Sequence, residues 1–224
     1  MLKILQKYKL FITTLGVLSA VIITAFYNIL KPKKVLPIYQ PAQVNVALVD
    51  STIQHQKKYH TIADFKLINQ NGDTITQAFY EDKIYVADFF FTTCQTICPI
   101  MTDHMYEIQK RTISDPDVLL LSHTVTPEID SVAQLNRYAK SKLVNPSKWN
   151  LVTGDKKEIY NLARRSYLAV KTNGDGGPYD MIHTENFMLI DKERQIRGFY
   201  DGTDPEAIET LLEDIKILKA SYNK

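Results

Sequence analysis

The residues best suited to chemistry in this chain are its two cysteines, which lie close together in the stretch VADFFFTTCQTICPIM. Three residues separate Cys94 from Cys98, whereas redox pairs usually have two between them and structural zinc sites usually have four ligands. The apolar run before the pair predicts a strand, and Pro99 predicts the first turn of a helix directly afterwards. Because a helix N-terminus favours thiolates, this position fits either a labile disulfide or a two-sulfur metal clamp.

A clamp of two thiolates needs a further ligand, and the chain has five histidines. His183 is the best placed, because it follows a glycine-rich loop and directly precedes a predicted strand, where site residues often occur. His123, near the end of another strand, is a second candidate. We expect the others to be solvated loop, surface or capping residues: His55, His60 and His104.

Asp88 is an acid in the middle of an otherwise apolar predicted strand, six residues before Cys94. Thioredoxins resemble this arrangement, with a buried aspartate six residues before their first active-site cysteine. Burial would raise the pKa of Asp88 and suit it to exchange protons with a thiol, which is the redox interpretation. The alternative is a hydrogen-bonded or solvated acid at the strand's edge.

Around these residues, predicted strands alternate with helices, which indicates an α/β domain with a mixed sheet. Asn71-Gly72 predicts a hairpin turn, and two later strands should form an antiparallel pair. The predicted strands lie in FKLINQNGDTITQ, KIYVADFFF, VLLLSHTV, WNLVTG, YLAV, NFMLID and QIRGFY, and TNGDGGPYD reads as a loop. The predicted helices run from Pro99 to Thr112, Ser131 to Lys142, Asp155 to Arg165 and Asp204 to Lys219.

The N-terminal part of the chain has the composition of a membrane anchor. Residues 10–30 have no charge, and a helix of this length crosses a bilayer core of roughly 30 Å. A cleaved signal peptide would have a shorter apolar region and a small-x-small site, which is not evident here. Three lysines lie on each side of the span, so charge alone leaves the orientation open. Residues 31–60, which contain three prolines, read as a tether.

The rest of the chain gives no sign of nucleic-acid binding. Six of the 27 basic residues flank the span, and all 25 acidic residues lie at or after Asp50. The domain beyond the tether is therefore mildly acidic, and it contains no basic patch interleaved with aromatic residues.

Three motifs in order resemble the SCO/SenC family. Phe90-Phe91-Thr92 before Cys94, followed by Cys98-Pro99, resembles the family's F-x-F-T-x-C-x-x-x-C-P signature. His183, followed by the strand containing Phe187 and Asp191, completes the pattern. The resemblance covers about residues 60–220. It implies a thioredoxin-like mixed sheet flanked by helices, with one N-terminal transmembrane helix.

The resemblance also implies that Cys94, Cys98 and His183 bind copper. Two sulfurs and one imidazole suit Cu(I), and Cu(II) is also compatible if an additional oxygen ligand is present. Zinc would require a fourth protein ligand, and none stands out. Met101, Met105 and Met181 also carry thioethers, but we expect them to pack in the core.

Several residues depart from the family pattern, and they put copper affinity or the partner surface in doubt. Gln95 follows the first cysteine, where the family often has proline. The stretch from Thr126 to Ser131 lacks the first acid and the arginine of the family's D-P-E-R-D-T. Ile182 replaces the aspartate usually found before the histidine, with Asp180 two positions earlier.

The leading hypothesis is a membrane-tethered metallochaperone that delivers copper to, or reduces the cysteines of, the binuclear copper site of cytochrome c oxidase. The expected partners are the copper-site subunit and, beyond it, other copper chaperones or thiol reductases. A thiol–disulfide oxidoreductase with extracytoplasmic clients is the alternative, and a peroxidase-like member of the fold is weaker. We expect residues 1–9 to lie in the cytoplasm and residues 10–30 to span the bacterial inner membrane. Residues 31–60 would then form the tether and residues 61–224 the periplasmic domain. The mitochondrial inner membrane is the alternative location.

Overall fold

The structure is a computed structural model that describes residues 8–30, 34–49, 52–170, 174, 177 and 180–222. It divides into two compact units, Met1–Val35 and Leu36–Lys224. In the first unit, helix α1 spans Lys9–Leu30. Among the described residues, α1 is the one helix long and apolar enough to cross a membrane. Its threonine hydroxyls bond back to the preceding turn, as Thr14 does to the carbonyl of Leu10 at 3.0 Å, so they need no water.

Seven strands of the second unit form one mixed sheet in the order β2-β1-β5-β4-β3-β6-β7. Strands β3, β4 and β5 are parallel at the centre, and the hairpins β1/β2 and β6/β7 join antiparallel on either side. The predicted mixed sheet and both hairpins are therefore confirmed. The strands are β1 (Lys66–Asn69), β2 (Thr74–Thr76), β3 (Ile84–Phe90), β4 (Val118–Thr124), β5 (Trp149–Thr153), β6 (Asn186–Ile190) and β7 (Ile196–Asp201).

Four helices cover the sheet, and side-chain caps explain where two of them begin. Ser131 accepts a hydrogen bond from the backbone N–H of Gln134 at 3.4 Å, and Asp155 accepts one from that of Glu158 at 2.9 Å. The helix that Asp155 caps continues as a π-type turn, Leu162–Ser166. The helices are α2 (Ile97–Thr112), α3 (Val132–Ser141), α4 (Lys156–Asn161) and α5 (Pro205–Tyr222).

The two faces of the sheet bury separate apolar clusters. Along β3, Val86 and Phe90 point to the face covered by α2, α3 and α5, where Cys98 is also buried. Ala87 and Phe89 point to the other face, which α4 and the π-type turn after it cover. Because side chains alternate along a strand, Asp88 lies on the same face as Cys98.

The structure corrects the predicted strand in YLAV. Residues 167–170 are buried but irregular, and Leu168 has a positive φ of 52°. The backbone N–H of Ala169 donates to the carbonyl of Ala163 at 2.9 Å, so the segment closes the π-type turn instead of joining the sheet. An unbroken apolar run does not distinguish these two outcomes.

The compact domain begins earlier than the predicted boundary at residue 61. Leu36 and Val49 are buried, and the backbone N–H of Tyr39 donates to the carbonyl of Ile196 on β7 at 2.8 Å. His60, expected to be solvated, is buried and its Nε2 lies 2.8 Å from the carbonyl of Ser166. Composition could not predict that residues 36–60 pack onto the domain, since this segment is polar and rich in proline. Most of TNGDGGPYD lies outside the described residues.

Candidate metal centre

The two cysteines lie where the chain leaves β3 and enters α2. The backbone N–H of Cys94 donates to the carbonyl of Phe91 at 3.3 Å, which turns the chain after the strand. Helix α2 begins at Ile97, so Cys98 is in its first turn and is 3% exposed, while Cys94 precedes the helix and is partly exposed. The backbone N–H of Cys98 donates to Sγ of Cys94 at 3.4 Å. The structure thus brings the two sulfurs together, both as free thiols.

The two thiols differ in acidity. Burial raises the pKa of Cys94, but hydrogen bonds from Cys98 and Thr96 outweigh it and lower the pKa to about 7. Burial raises the pKa of Cys98 to about 12, and the adjacent Cys94 adds to the effect. At neutral pH Cys94 is therefore partly ionised while Cys98 stays a thiol, and this arrangement suits attack on a disulfide or binding of a soft cation.

His183 lies beside the same loop. It is exposed, and its ring contacts the ring of Phe91 in a T-shaped arrangement with centroids 6.0 Å apart. Phe91 is thus linked to His183 through its ring and to Cys94 through its carbonyl. Within the described residues, no three His, Cys, Asp or Glu side chains are close enough to hold a metal. The three predicted ligands lie near one another, but in this structure the imidazole is not close enough to the two sulfurs to share a metal ion with them.

Asp88 is buried, at 2% exposed, on the face of the sheet that carries Cys98. Burial raises its pKa to about 7, although a hydrogen bond from Ser122 opposes the rise. Trp149 Nε1 donates to Ser122 Oγ at 2.8 Å, and Ser122 Oγ donates to Asp88. Since the indole can only donate, the hydroxyl hydrogen of Ser122 is directed to the carboxyl of Asp88.

Asp130 was not singled out by the sequence reasoning, although it lies in the stretch that departs from the family pattern. It is completely buried, and its carboxylate accepts hydrogen bonds from the hydroxyls of Thr92 and Thr124 and from that of Thr126 at 3.0 Å. The backbone N–H of Thr92 also donates to it, at 3.2 Å. The carboxylate ties the loop before Cys94 to the loop after β4. The threonines around it in the sequence are the signal that could have pointed to it.

The remaining histidines lie apart from the cysteines. His123 points to the opposite face of the sheet, where it stacks on Phe89 with ring centroids 5.0 Å apart. His104 bonds through Nδ1 to the carbonyl of Gly202 at 2.7 Å, which is a local structural role. His55 is exposed, as expected for a loop residue. His123 is therefore excluded as a ligand to the same ion in this arrangement.

Fold and site together define a thioredoxin-like protein with a dithiol at a helix entrance. The sequence matches the SCO1/SenC family over residues 53–219, and the chain belongs to that family. It is 30% identical to the SCO1 protein homolog of Bacillus subtilis (strain 168) over 159 residues, 70% of this chain and 82% of the relative.

Two solved structures of the same family share the fold. BsSco, described as having a disulfide switch and as a member of the Sco family of cytochrome c oxidase assembly proteins, has a TM-score of 0.60. It is 29% identical, with 71% of this chain and 93% of that one covered. Arabidopsis thaliana ScoI with copper bound has a TM-score of 0.55 and 28% identity, with 69% and 97% covered.

Proposed function

We propose that this protein binds copper through Cys94, Cys98 and His183 and serves the assembly of the copper site of cytochrome c oxidase. The observation that carries the proposal is the pair of free thiols at the N-terminus of α2, next to the Phe91 loop. The ring of Phe91 contacts that of His183, so the histidine lies near both cysteines. Two thiolates and an imidazole are soft and borderline ligands that favour Cu(I). The copper-bound ScoI relative and the described role of the Sco family support the assignment.

Copper is the cargo in this proposal, and the geometry is suited to giving it up. In the described part of the chain His183 is exposed and its ring contacts that of Phe91, so it can join or leave the two sulfurs without disturbing the core. Cys94 is likewise partly exposed, whereas Cys98 is fixed in the helix. An acceptor can therefore approach the metal from the side of Cys94 and His183. We place this domain in the periplasm, tethered to the bacterial inner membrane by residues 10–30.

Copper titration of the reduced full chain in detergent tests the proposal. The wild type should bind one Cu(I) in competition with a chromophoric chelator. His183→Ala should weaken binding at least about tenfold, since even outer-shell changes cost metal sites that much. His55→Ala is the matched control, because it removes an exposed histidine outside the site. Equal affinity of the wild type and His183→Ala would overturn the assignment.

Thiol–disulfide exchange is a second candidate function, favoured by the position of Asp88. Its carboxyl is buried on the same face as Cys98, with a pKa raised by burial to about 7, so it can accept a proton near neutral pH. The disulfide switch described for BsSco supports this chemistry. We expect Asp88→Asn to slow oxidation of the dithiol at pH 7 and to change its pH profile between pH 5 and 9. An unchanged profile, identical to that of the exposed control Glu213→Gln, would exclude the role.

A further inference from the structure

The segment that leads into β6 presents a row of exposed side chains. From residue 181 to residue 185 the exposure alternates: Met181, His183 and Glu185 are exposed, whereas Ile182 and Thr184 are buried. Ile182 belongs to the core, and Thr184 Oγ1 accepts from the backbone N–H of Asn186 at 3.2 Å. Alternation of this kind is typical of an extended chain, in which residues two apart lie about 6.6 Å from each other on one side. Met181 and His183 are therefore neighbours on the surface.

Met181 differs from the other methionines that the structure describes. Met101, Met105 and Met188 are completely buried and fill the core, whereas Met181 is 45% exposed. The expectation of core packing is therefore wrong for Met181. A methionine in water loses the packing that usually explains its use, but its thioether remains available as a soft ligand.

Met181 and His183 also line the same open cleft, which has a volume of about 370 Å³. The cleft adjoins the ring of His183, whose other neighbour is Phe91 on the loop that precedes Cys94. In the described part of the chain, the imidazole is not assembled with the two sulfurs. In this arrangement the nearest soft ligand along the chain from His183 is the thioether of Met181.

We propose that Met181 and His183 form a separate entry site for Cu(I), one that is used before the metal reaches the cysteines. The inference rests on the proposed function and adds a step to it. Sulfur of Met181 and one ring nitrogen of His183 bind the incoming ion. Cys94 and Cys98 then replace the thioether while His183 remains bound. The copper stays Cu(I), so no electron is transferred. The thioether leaves the metal, the Cys98 thiol releases its proton to solvent as it binds, and the exchange favours the cysteines because thiolate binds Cu(I) more strongly than thioether.

The full chain carrying Cys94→Ser and Cys98→Ser tests the entry site in isolation. With methionine labelled at its methyl carbon, Cu(I) alone should shift the Met181 methyl signal, which Met181→Leu identifies by its absence. The buried methyls of Met101, Met105 and Met188 should not move. Adding Met181→Leu or His183→Ala should weaken Cu(I) binding at least about tenfold, whereas Glu185→Gln, which removes an exposed hard ligand from the same row, should not.

Two results would overturn the entry site: a Met181 methyl signal that does not respond to Cu(I), or equal Cu(I) affinity with and without Met181→Leu. Because Met181 is exposed, leucine there should leave the fold intact, and an unchanged thermal transition checks this. The proposed function is tested apart from the entry site, by Cu(I) binding to the chain that retains both cysteines. If the chain with both cysteines binds Cu(I) tightly but the Met181 methyl signal does not respond to Cu(I) in the cysteine-free chain, only the entry site is contradicted.

Discussion

At the scale of single residues, two thiols only four positions apart in the chain have different properties. Cys94 precedes α2 and receives hydrogen bonds from the turn that follows it, while Cys98 is covered by the apolar side chains of the α2 face. Their pKa values of about 7 and about 12 reflect these positions. Of the two cysteines, Cys94 should therefore be the first to bind an ion or to attack a client disulfide, with Cys98 completing the reaction.

His123 is a second residue whose properties follow from its position. It lies among Phe65, Phe89 and Tyr167, and neither ring nitrogen has a hydrogen-bond partner among the described residues. Burial lowers its pKa to about 3 from an ordinary value of 6.5. The folded state therefore keeps His123 neutral, whereas the unfolded chain takes up a proton near pH 6.5, and stability is lost as the pH falls from there towards 3.

We predict that His123→Phe flattens this acid dependence. Between pH 7.5 and pH 5, the difference in free energy of unfolding between the variant and the wild type should grow by about 2 kcal/mol in favour of the variant. Urea unfolding at the two pH values measures it, with His55→Phe as the exposed control. A constant difference across the range would mean that His123 is already protonated or solvated in the folded protein.

At the scale of elements, the carboxylate of Asp130 fixes the loop between β3 and α2 that carries Cys94. Its hydrogen bonds come from Thr92 on the cysteine loop and from Thr124 and Thr126 at the end of β4. Because several hydroxyls donate to this one carboxylate, its removal leaves their O–H groups without that acceptor. The cysteine loop should therefore be positioned by Asp130, although Asp130 does not touch either sulfur in the contacts described above.

We predict that Asp130→Ala lowers the free energy of unfolding by at least about 3 kcal/mol, the cost of stranding buried groups that bonded to a carboxylate. Chemical denaturation measures the loss. Glu128→Ala is the matched control in the same loop, because Glu128 is itself exposed and its ion pair with Lys156 lies at the surface, so the change should cost less than about 1 kcal/mol. Equal losses in the two variants would contradict the positioning role.

The elements that the sequence predicts well are those with an unambiguous local signal. Ser131 and Asp155 have side chains that cap a helix, and Asn71-Gly72 has the conformational freedom that a hairpin turn needs. Tyr167 to Val170 has no such signal, since its side chains are buried whether the backbone pairs in a sheet or closes a turn. The burial of His60 depends on Ser166, more than a hundred residues away, and no local pattern reports such a contact.

The candidate site was predictable in part for the same reason. Cys94 and Cys98 stand out by residue type and spacing, and His183 by its place before a strand. The exposure of Met181 depends on how distant segments pack, so the sequence could not reveal it. For Asp130 the neighbouring threonines are a local signal, but its hydrogen bond from Thr92 on the cysteine loop depends on packing. The distance between His183 and the sulfurs depends on the conformation of the segment before β6, which the spacing does not determine.

At the scale of the whole molecule, α1 and the folded domain are distinct units, and the orientation of the chain in the membrane decides which compartment the dithiol faces. We predict a periplasmic domain. A membrane-impermeant maleimide should label Cys94 in intact spheroplasts. The control is a chain with Cys94→Ser, Cys98→Ser and Gln6→Cys, which should be labelled only after lysis. Labelling of Cys94 only after lysis would place the domain in the cytoplasm.

X-ray absorption at the copper edge tests the central proposal most directly, because it identifies the atoms around the metal. For the full chain loaded with one Cu(I), we predict two sulfur neighbours and one nitrogen. His183→Ala should lose the nitrogen and keep both sulfurs, while His55→Ala should match the wild type. A copper environment without two sulfurs, or one that His183→Ala leaves unchanged, would contradict the proposed site of Cys94, Cys98 and His183.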